Sequence, residues 1–187
     1  VVQREMIHRL KNTLTIVQSV VTQTLRSAAS LDEAAQVVSD RIQALTRAQD
    51  ILTEHRWETA DIREVVAAAI APHTDGGHRF MIMGDSVDLT AQLSMGLALA
   101  LHELSTNATK YGALSNEHGT VKISWQVDQS KAFSFSWVEA GGPPVTPPLR
   151  KGFGSRLTER VVPSYFDGKA RLDHAPAGVR YELRGVL

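Results

Sequence analysis

"DLTAQLSMGLALALHELSTNATKYG", residues 88–112, sets the apolar spine against which the rest of this chain must pack. Leu93, Leu97, Ala100, Leu101, Leu104, Ala108 and Tyr111 recur at three- and four-residue steps, which a helix gathers onto one face. The spacing predicts one long helix with that face buried. Gly112 ends it, because a glycine beyond the last turn accepts the backbone that stops a helix. Glu103, Asn107 and Lys110 fall within about 60° of one another along a different edge. A carboxylate, an amide oxygen and an ammonium side by side can orient water, hold a hard cation through oxygen and neutralise phosphate. The plainer alternative is a polar helix face joined by a hydrogen bond between neighbouring turns.

Downstream, "TVKISWQVD" (120–128) and "AFSFSWVEA" (132–140) alternate as strands, with a turn near Gln129 and Ser130. The alternation puts Phe133, Phe135, Trp137 and Glu139 on one face. Glu139 thus ends a row of aromatics on the side expected to be buried, where an unpaired carboxylate is costly. Either it escapes to solvent at the strand end, or it accepts a hydrogen bond from something that binds there, for which an adenine amino group is suitable. "AGGPPVTPPLRKGFGS" (140–155) follows, with four glycines and four prolines in sixteen residues. Gly141 and Gly142 permit close backbone approach. Gly152 and Gly154 directly precede a predicted helix, "GSRLTERVVPSYF", whose free N–H groups favour phosphate; Arg150, Lys151 and Arg156 add charge nearby. A plain surface loop explains the same composition. "GKARLDHA" and "GVRYELRGVL" close the chain as a hairpin. With "DIREVVAAAIAPH" as helix and "RFMIMGD" as a short strand, the pattern predicts helices stacked on one face of a mixed sheet.

Upstream lie two helical stretches. In the first, residues 2 to about 29, Met6, Leu10, Leu14, Val17, Val21 and Leu25 form the apolar stripe, and His8 points away from it among Arg4, Glu5, Lys11, Asn12 and Thr15. His8 is either ordinary wet surface or a reactive group. The second begins at "SLDEAAQ" (30–36), with Ser30 as cap and Asp32 and Glu33 at the positive end of the helix dipole. Its stripe runs through Ala34, Val37 or Val38, Arg41 by its stem, Ile42, Leu45, Ala48 and Leu52. So short a link folds the pair into an antiparallel hairpin. Its excess apolar surface predicts pairing with a second copy as a four-helix bundle, or docking on the domain that follows. The joint falls near Arg56 to Thr59.

Twenty basic residues offset twenty acidic ones in 187 residues, which leaves no general attraction to nucleic acid or anionic membrane. The absence of cysteine removes disulfides, thiolate nucleophiles and cysteine zinc sites, and fits a cytoplasmic setting. No apolar run reaches the roughly 18 residues needed to span a bilayer. "VVQREM" lacks the layout of a signal peptide and enters a helix already under way, so a further segment is expected upstream.

In this order, "HRLKN" (8–12), "HELSTNATKYGAL" (102–114), "WVEAGGPPV" (137–145) and "GFGSRL" (152–157) resemble the bacterial sensor histidine kinases of the HWE subfamily. That subfamily is named for a histidine, here His102, and a W-x-E pair, here Trp137 and Glu139. The resemblance implies an α+β chain: a helical hairpin for dimerisation and phosphotransfer, residues 1–57, then a Bergerat-type ATP-binding α/β sandwich, residues 58–187. It implies autophosphorylation of His8 from ATP. Asn107 would carry Mg2+, Glu103 would be the acidic residue polarising water or the nucleophile, and Lys110 would assist the phosphates. Tyr111 would line the pocket, Glu139 would take the place of the aspartate that reads adenine, and Gly141, Gly142, Gly152 and Gly154 would form the lid edges. The implied partners are a response-regulator receiver domain, a sensor domain upstream of this chain, and a second copy bound through the hairpin, with a monomer as the alternative. Many sensor kinases place an acid directly after the phosphorylated histidine; Arg9 stands there instead, leaving Glu5 or Glu103 as base. His102 projects away from Glu103 and takes a supporting role. Asn12 is either a water-orienting residue for dephosphorylation of the partner or a polar surface residue. The competing functions are a phosphotransfer adaptor with a dead ATP site, a non-enzymatic helical dimerisation module, and a Bergerat-type serine kinase or ATPase.

Overall fold

The computed structural model describes residues 2–54, 59–74, 78–147 and 152–187; for residues 2–10, Asn12, Ser27, Glu54 and Phe153 it describes the backbone alone. Helix α1 (Val2–Ser27) and helix α2 (Leu31–Glu54) form the hairpin. The Ser30 hydroxyl accepts the Glu33 N–H at 3.1 Å and the Glu33 carboxylate accepts the Ala29 N–H at 2.8 Å, so the start of α2 is closed from both sides. The joint was expected near Arg56 to Thr59; of these, residues 56–58 lie outside the described residues.

Strand β1 (Thr59–Asp61), helix α3 (Ile62–Ile70), strand β2 (Phe80–Met83) and strand β3 (Asp88–Thr90) lead to helix α4 (Ala91–Lys110). Asp88–Thr90 were expected inside the helix. They pair instead with β1, and the Thr90 hydroxyl caps α4 at the Leu93 N–H. Strands β4 (Thr120–Val127) and β5 (Ala132–Ala140) follow. Helix α5 (Phe153–Arg156), a π-turn (Leu157–Val161) and helix α6 (Val162–Tyr165) then run on without a gap, before strands β6 (Lys169–Ala175) and β7 (Gly178–Val186).

The main sheet has the order β2-β4-β5-β7-β6; β2 and β4 are parallel and the other pairs antiparallel. One face presents Val121, Ile123, Trp125, Phe133, Phe135, Trp137, Tyr181 and Leu183, all buried, while Lys122 and Gln126 on the opposite face are exposed. The helices therefore cover one side only, as the alternation predicted.

The α4 helix lies between this sheet and the hairpin. That position explains why Met95, Ala98 and Leu99 are buried along with Leu97, Ala100 and Leu101, rather than a single stripe. Each buried leucine contributes about 1.5–3 kcal/mol relative to exposure. Tyr111, expected in the stripe, is 72 % exposed because the helix ends one residue earlier. Ile16, Val20, Leu45, Ala48 and Leu52 join the same core, so the hairpin docks on the domain that follows it. This docking selects a face of α1 about 100° round from the expected stripe. Ile16, Val20 and Thr24 are buried, Val17 is partly buried, and Leu14 and Leu25 are exposed; Met6 and Leu10 lie outside the described side chains. On α2 the expected stripe holds except at Ile42, which is exposed.

Candidate active site

A cleft of about 640 Å³ lies between α4, the loop after β5 and the start of α5, with the hairpin and residues of β6 and β7 completing its wall. Its volume is in the range that takes a drug-sized or nucleotide ligand. His102, Glu103, Asn107, Lys110, Tyr111, Glu139, Gly152 and Gly154 all line it. Gly141 and Gly142, which follow Ala140 at the end of β5, are not among its lining residues. Arg150 and Lys151 lie outside the described residues. The His8 side chain does too, but its backbone sits in α1, sixteen residues from Thr24, which is about 24 Å along the helix.

Glu139 is 4 % exposed, yet its charge is not stranded. One oxygen accepts the Ala113 N–H at 2.9 Å and the other accepts the Trp137 indole N–H at 3.1 Å. The sequence offered solvent or an incoming donor; the protein's own donors hold the carboxylate, and the residue lines the cleft. Burial lifts its pKa above the ordinary carboxylate value, against the lowering by these two hydrogen bonds. A Cβ on Gly112 would stand 2.1 Å from the Glu139 carboxylate, so only glycine fits there.

The turn bearing Ala113 is held by two residues with no motif to announce them. The Arg79 guanidinium donates to the carbonyls of Gly119, Ala113 and Asn116 at 2.9, 2.9 and 2.5 Å. The Asn116 amide donates to the Gly141 carbonyl at 2.9 Å, and its side-chain oxygen accepts the N–H groups of His118 and Gly119. Gly141 and Gly142 are thereby seated against the end of α4.

At the other end, Glu103 does not stand open with Asn107 and Lys110 as the helix edge suggested. Arg41 of α2 grips it with Nε on one oxygen at 2.6 Å and Nη2 on the other at 2.9 Å. Arg41 was expected to be buried by its stem; the whole guanidinium is buried, because this pairing satisfies it. A Cβ on Gly154 would come 2.7 Å from the same carboxylate, so the glycine lets α5 close over it. Gly154 is itself in the first turn of α5 rather than ahead of it. Asn107 and Lys110 are exposed at the cleft wall.

His102 is 9 % exposed, and its Nδ1 has no hydrogen-bond partner among the described residues. Burial lowers its pKa below the ordinary imidazole value, against the opposing pull of Glu103. The His73 ring lies 6.4 Å away and is lowered in the same way, first by burial and then by His102 and Arg47. Burial thus favours the neutral form of both rings.

Residues 5–86 match the family described as HWE histidine kinase. Over 182 residues, 95% of its length, the chain is 41% identical to a blue-light-activated histidine kinase of Brucella anthropi. The chain belongs to the HWE histidine kinases. A second blue-light-activated histidine kinase, of Brucella ovis, is 37% identical over 186 residues. The chain spans 37% and 38% of the lengths of these two relatives. In fold it is similar to the EL346 blue-light activated histidine kinase of Erythrobacter litoralis, with a TM-score of 0.73 at 15% identity over 96% of this chain and 59% of that one. No described helix is long and apolar enough to cross a membrane.

Arg41, Thr24, Arg79 and Asn116 were not found as site residues from sequence. Arg41 gave one signal, a cationic position inside an apolar stripe.

Proposed function

We propose that this HWE family member is the core of an ATP-dependent protein-histidine kinase, which phosphorylates His8 and passes the phosphoryl group to an aspartate on a response-regulator receiver domain. We read residues 1–57 as the phosphotransfer hairpin and 58–187 as the ATP-binding part. The observation that carries this is one cleft with a buried carboxylate at one end and exposed Asn107 and Lys110 at the other. A phosphotransfer adaptor or a passive dimerisation module needs none of these.

The residues fit ATP with Mg2+. The seated Glu139 suits a donor on a base, and at Gly152 a Cβ would meet nothing within 4 Å, so that edge of the cleft is open. Among the described residues no group of three His, Asp or Glu is placed to hold a metal. That agrees with magnesium, which keeps its waters and takes few protein oxygens beside substrate phosphates. Asn107 is the residue that would hold it, and the bound ion would neutralise charge on the phosphates. In the mechanism, Glu139 fixes the base, Lys110 offsets phosphate charge, and Gly152 and Gly154 let the backbone close over the phosphate tail. The His8 ring nitrogen attacks the γ-phosphorus with its lone pair as the bond to the bridging oxygen breaks and ADP leaves. The ring's other nitrogen keeps its proton, so the product is a cation that a carboxylate, Glu5 or Glu103, relieves. Positioning and charge neutralisation supply most of the rate in such a transfer.

Incubating the chain with γ-labelled Mg-ATP is expected to give acid-labile, alkali-stable phosphate, and chelation of magnesium to prevent it. Acid-stable label would point to a serine kinase instead.

The exposed Leu14, Leu25, Leu31 and Ile42 leave the hairpin with apolar surface that its own domain does not cover. They support a homodimer through the hairpin.

Glu139 also gives a pH expectation. Its pKa is raised by burial, so protonation on acidification begins nearer neutrality than for an ordinary carboxylate. The ionised form is the better acceptor, and adenine-nucleotide affinity should fall as the pH drops from 7 towards 5. Glu139→Gln should bind ADP about tenfold more weakly at pH 7, roughly 1.4 kcal/mol, and lose this pH dependence. Calorimetry on both proteins with the same ligand cancels the ligand's own titration; parallel pH profiles would remove Glu139 from the base site.

A further inference from the structure

The Arg41–Glu103 pair opposes the chemistry proposed for Glu103. Both carboxylate oxygens are engaged by Arg41, at 2.6 and 2.9 Å, and neither side chain has more than about a tenth of its surface exposed. The third nitrogen of Arg41 donates to Thr24 Oγ1 at 2.7 Å, and the Thr24 hydroxyl donates to the Val20 carbonyl at 2.6 Å. The guanidinium is therefore anchored on the hairpin and reaches across to α4, joining three helices at one point. That point is near Thr24, while His8 lies about 24 Å away along α1.

We propose that Arg41 is a positioning residue that withholds Glu103 and holds the nucleotide cleft at the wrong end of the hairpin, so that phosphoryl transfer to His8 requires this ion pair to part. The inference rests on the histidine-kinase reading of the cleft. The contact has two discrete states. Paired, the charges are dry and satisfied; separated, each must regain water, because a lone buried charge is not tolerated. Partial opening is the worst arrangement, so the element switches rather than bends. Thr24 is on α1 and Arg41 on α2, and sliding one helix past the other breaks their hydrogen bond and loosens the grip on Glu103.

The test uses the whole chain and measures initial rates of labelling from γ-labelled Mg-ATP together with the radius of gyration by small-angle scattering. Arg41→Gln should label at least about threefold faster through kcat, with KM for ATP unchanged, and should be more extended. A merely structural role would move the rate in the other direction. A rate equal to or below that of the folded wild type overturns the proposal. If Arg41→Gln does not fold, Thr24→Val, which deletes one hydroxyl and no charge, should also speed labelling, by a smaller factor; no increase overturns it equally. Should the wild type take no label, the kinase reading fails, and the scattering comparison decides alone. An unchanged radius of gyration would then end the latch, and expansion would sustain it.

Discussion

His8→Gln is expected to abolish phosphoryl labelling from Mg-ATP while leaving ADP affinity within about twofold of wild type, because sites far apart do not couple. The physical basis is the separation itself. The His8 backbone lies about 24 Å along α1 from Thr24, beside which Arg41 reaches the cleft. Glutamine has no ring lone pair to offer phosphorus, and its amide nitrogen is not a nucleophile at neutral pH. The described lining of the cleft begins on α1 at Thr24, so binding and labelling should dissociate. Label persisting at the wild-type level would place the acceptor elsewhere. Loss of ADP binding as well would mean that residue 8 shapes the cleft from a distance, and the assignment as acceptor would lose its support.

That separation was the part of the site least accessible from sequence. Periodicity found α4, the paired strands β4 and β5, and the burial of Phe133, Phe135, Trp137 and Glu139, because local alternation and a one-sided sheet are enough to dictate them. It placed Glu103, Asn107 and Lys110 on one edge correctly, and all three reach the same cleft. It could not show that Glu103 is engaged, since Arg41 lies 62 residues earlier and meets it only through tertiary docking. The same docking moved the buried face of α1 to Ile16 and Val20 and left Leu14 outside. A helix with apolar residues on two sides presents two candidate stripes, and only the partner surface selects between them. Asp88–Thr90 were read as the start of the helix that follows them; pairing with Thr59–Asp61, another distant segment, made them a strand. The α4 edge and Glu139 were thus legible from local pattern, while Thr24 and Arg41, which line the cleft from the hairpin, were not.

Asn107→Ala is expected to slow labelling by about two orders of magnitude, roughly 2.7 kcal/mol in the barrier, comparable to deleting one electrostatic stabiliser of a transition state. The effect is large because the described residues offer magnesium so little else. A carboxylate cluster could lose one oxygen and still hold the ion, whereas a single amide has no substitute. Asn107 is exposed, on the last full turn of α4, so its truncation leaves no cavity and no buried group unpaired. Unfolding stability should stay within about 0.5 kcal/mol of wild type. Asn107→Asp keeps an oxygen in place but adds a negative charge beside the phosphates and one turn from Glu103, and it should suppress labelling as well. Raising the magnesium concentration should recover part of the rate in Asn107→Ala, since mass action replaces affinity, and none in a variant damaged at the base-reading end such as Glu139→Gln. Full-rate labelling by Asn107→Ala, or a deficit insensitive to magnesium, would take the metal away from Asn107 and leave this edge of α4 as a polar helix face.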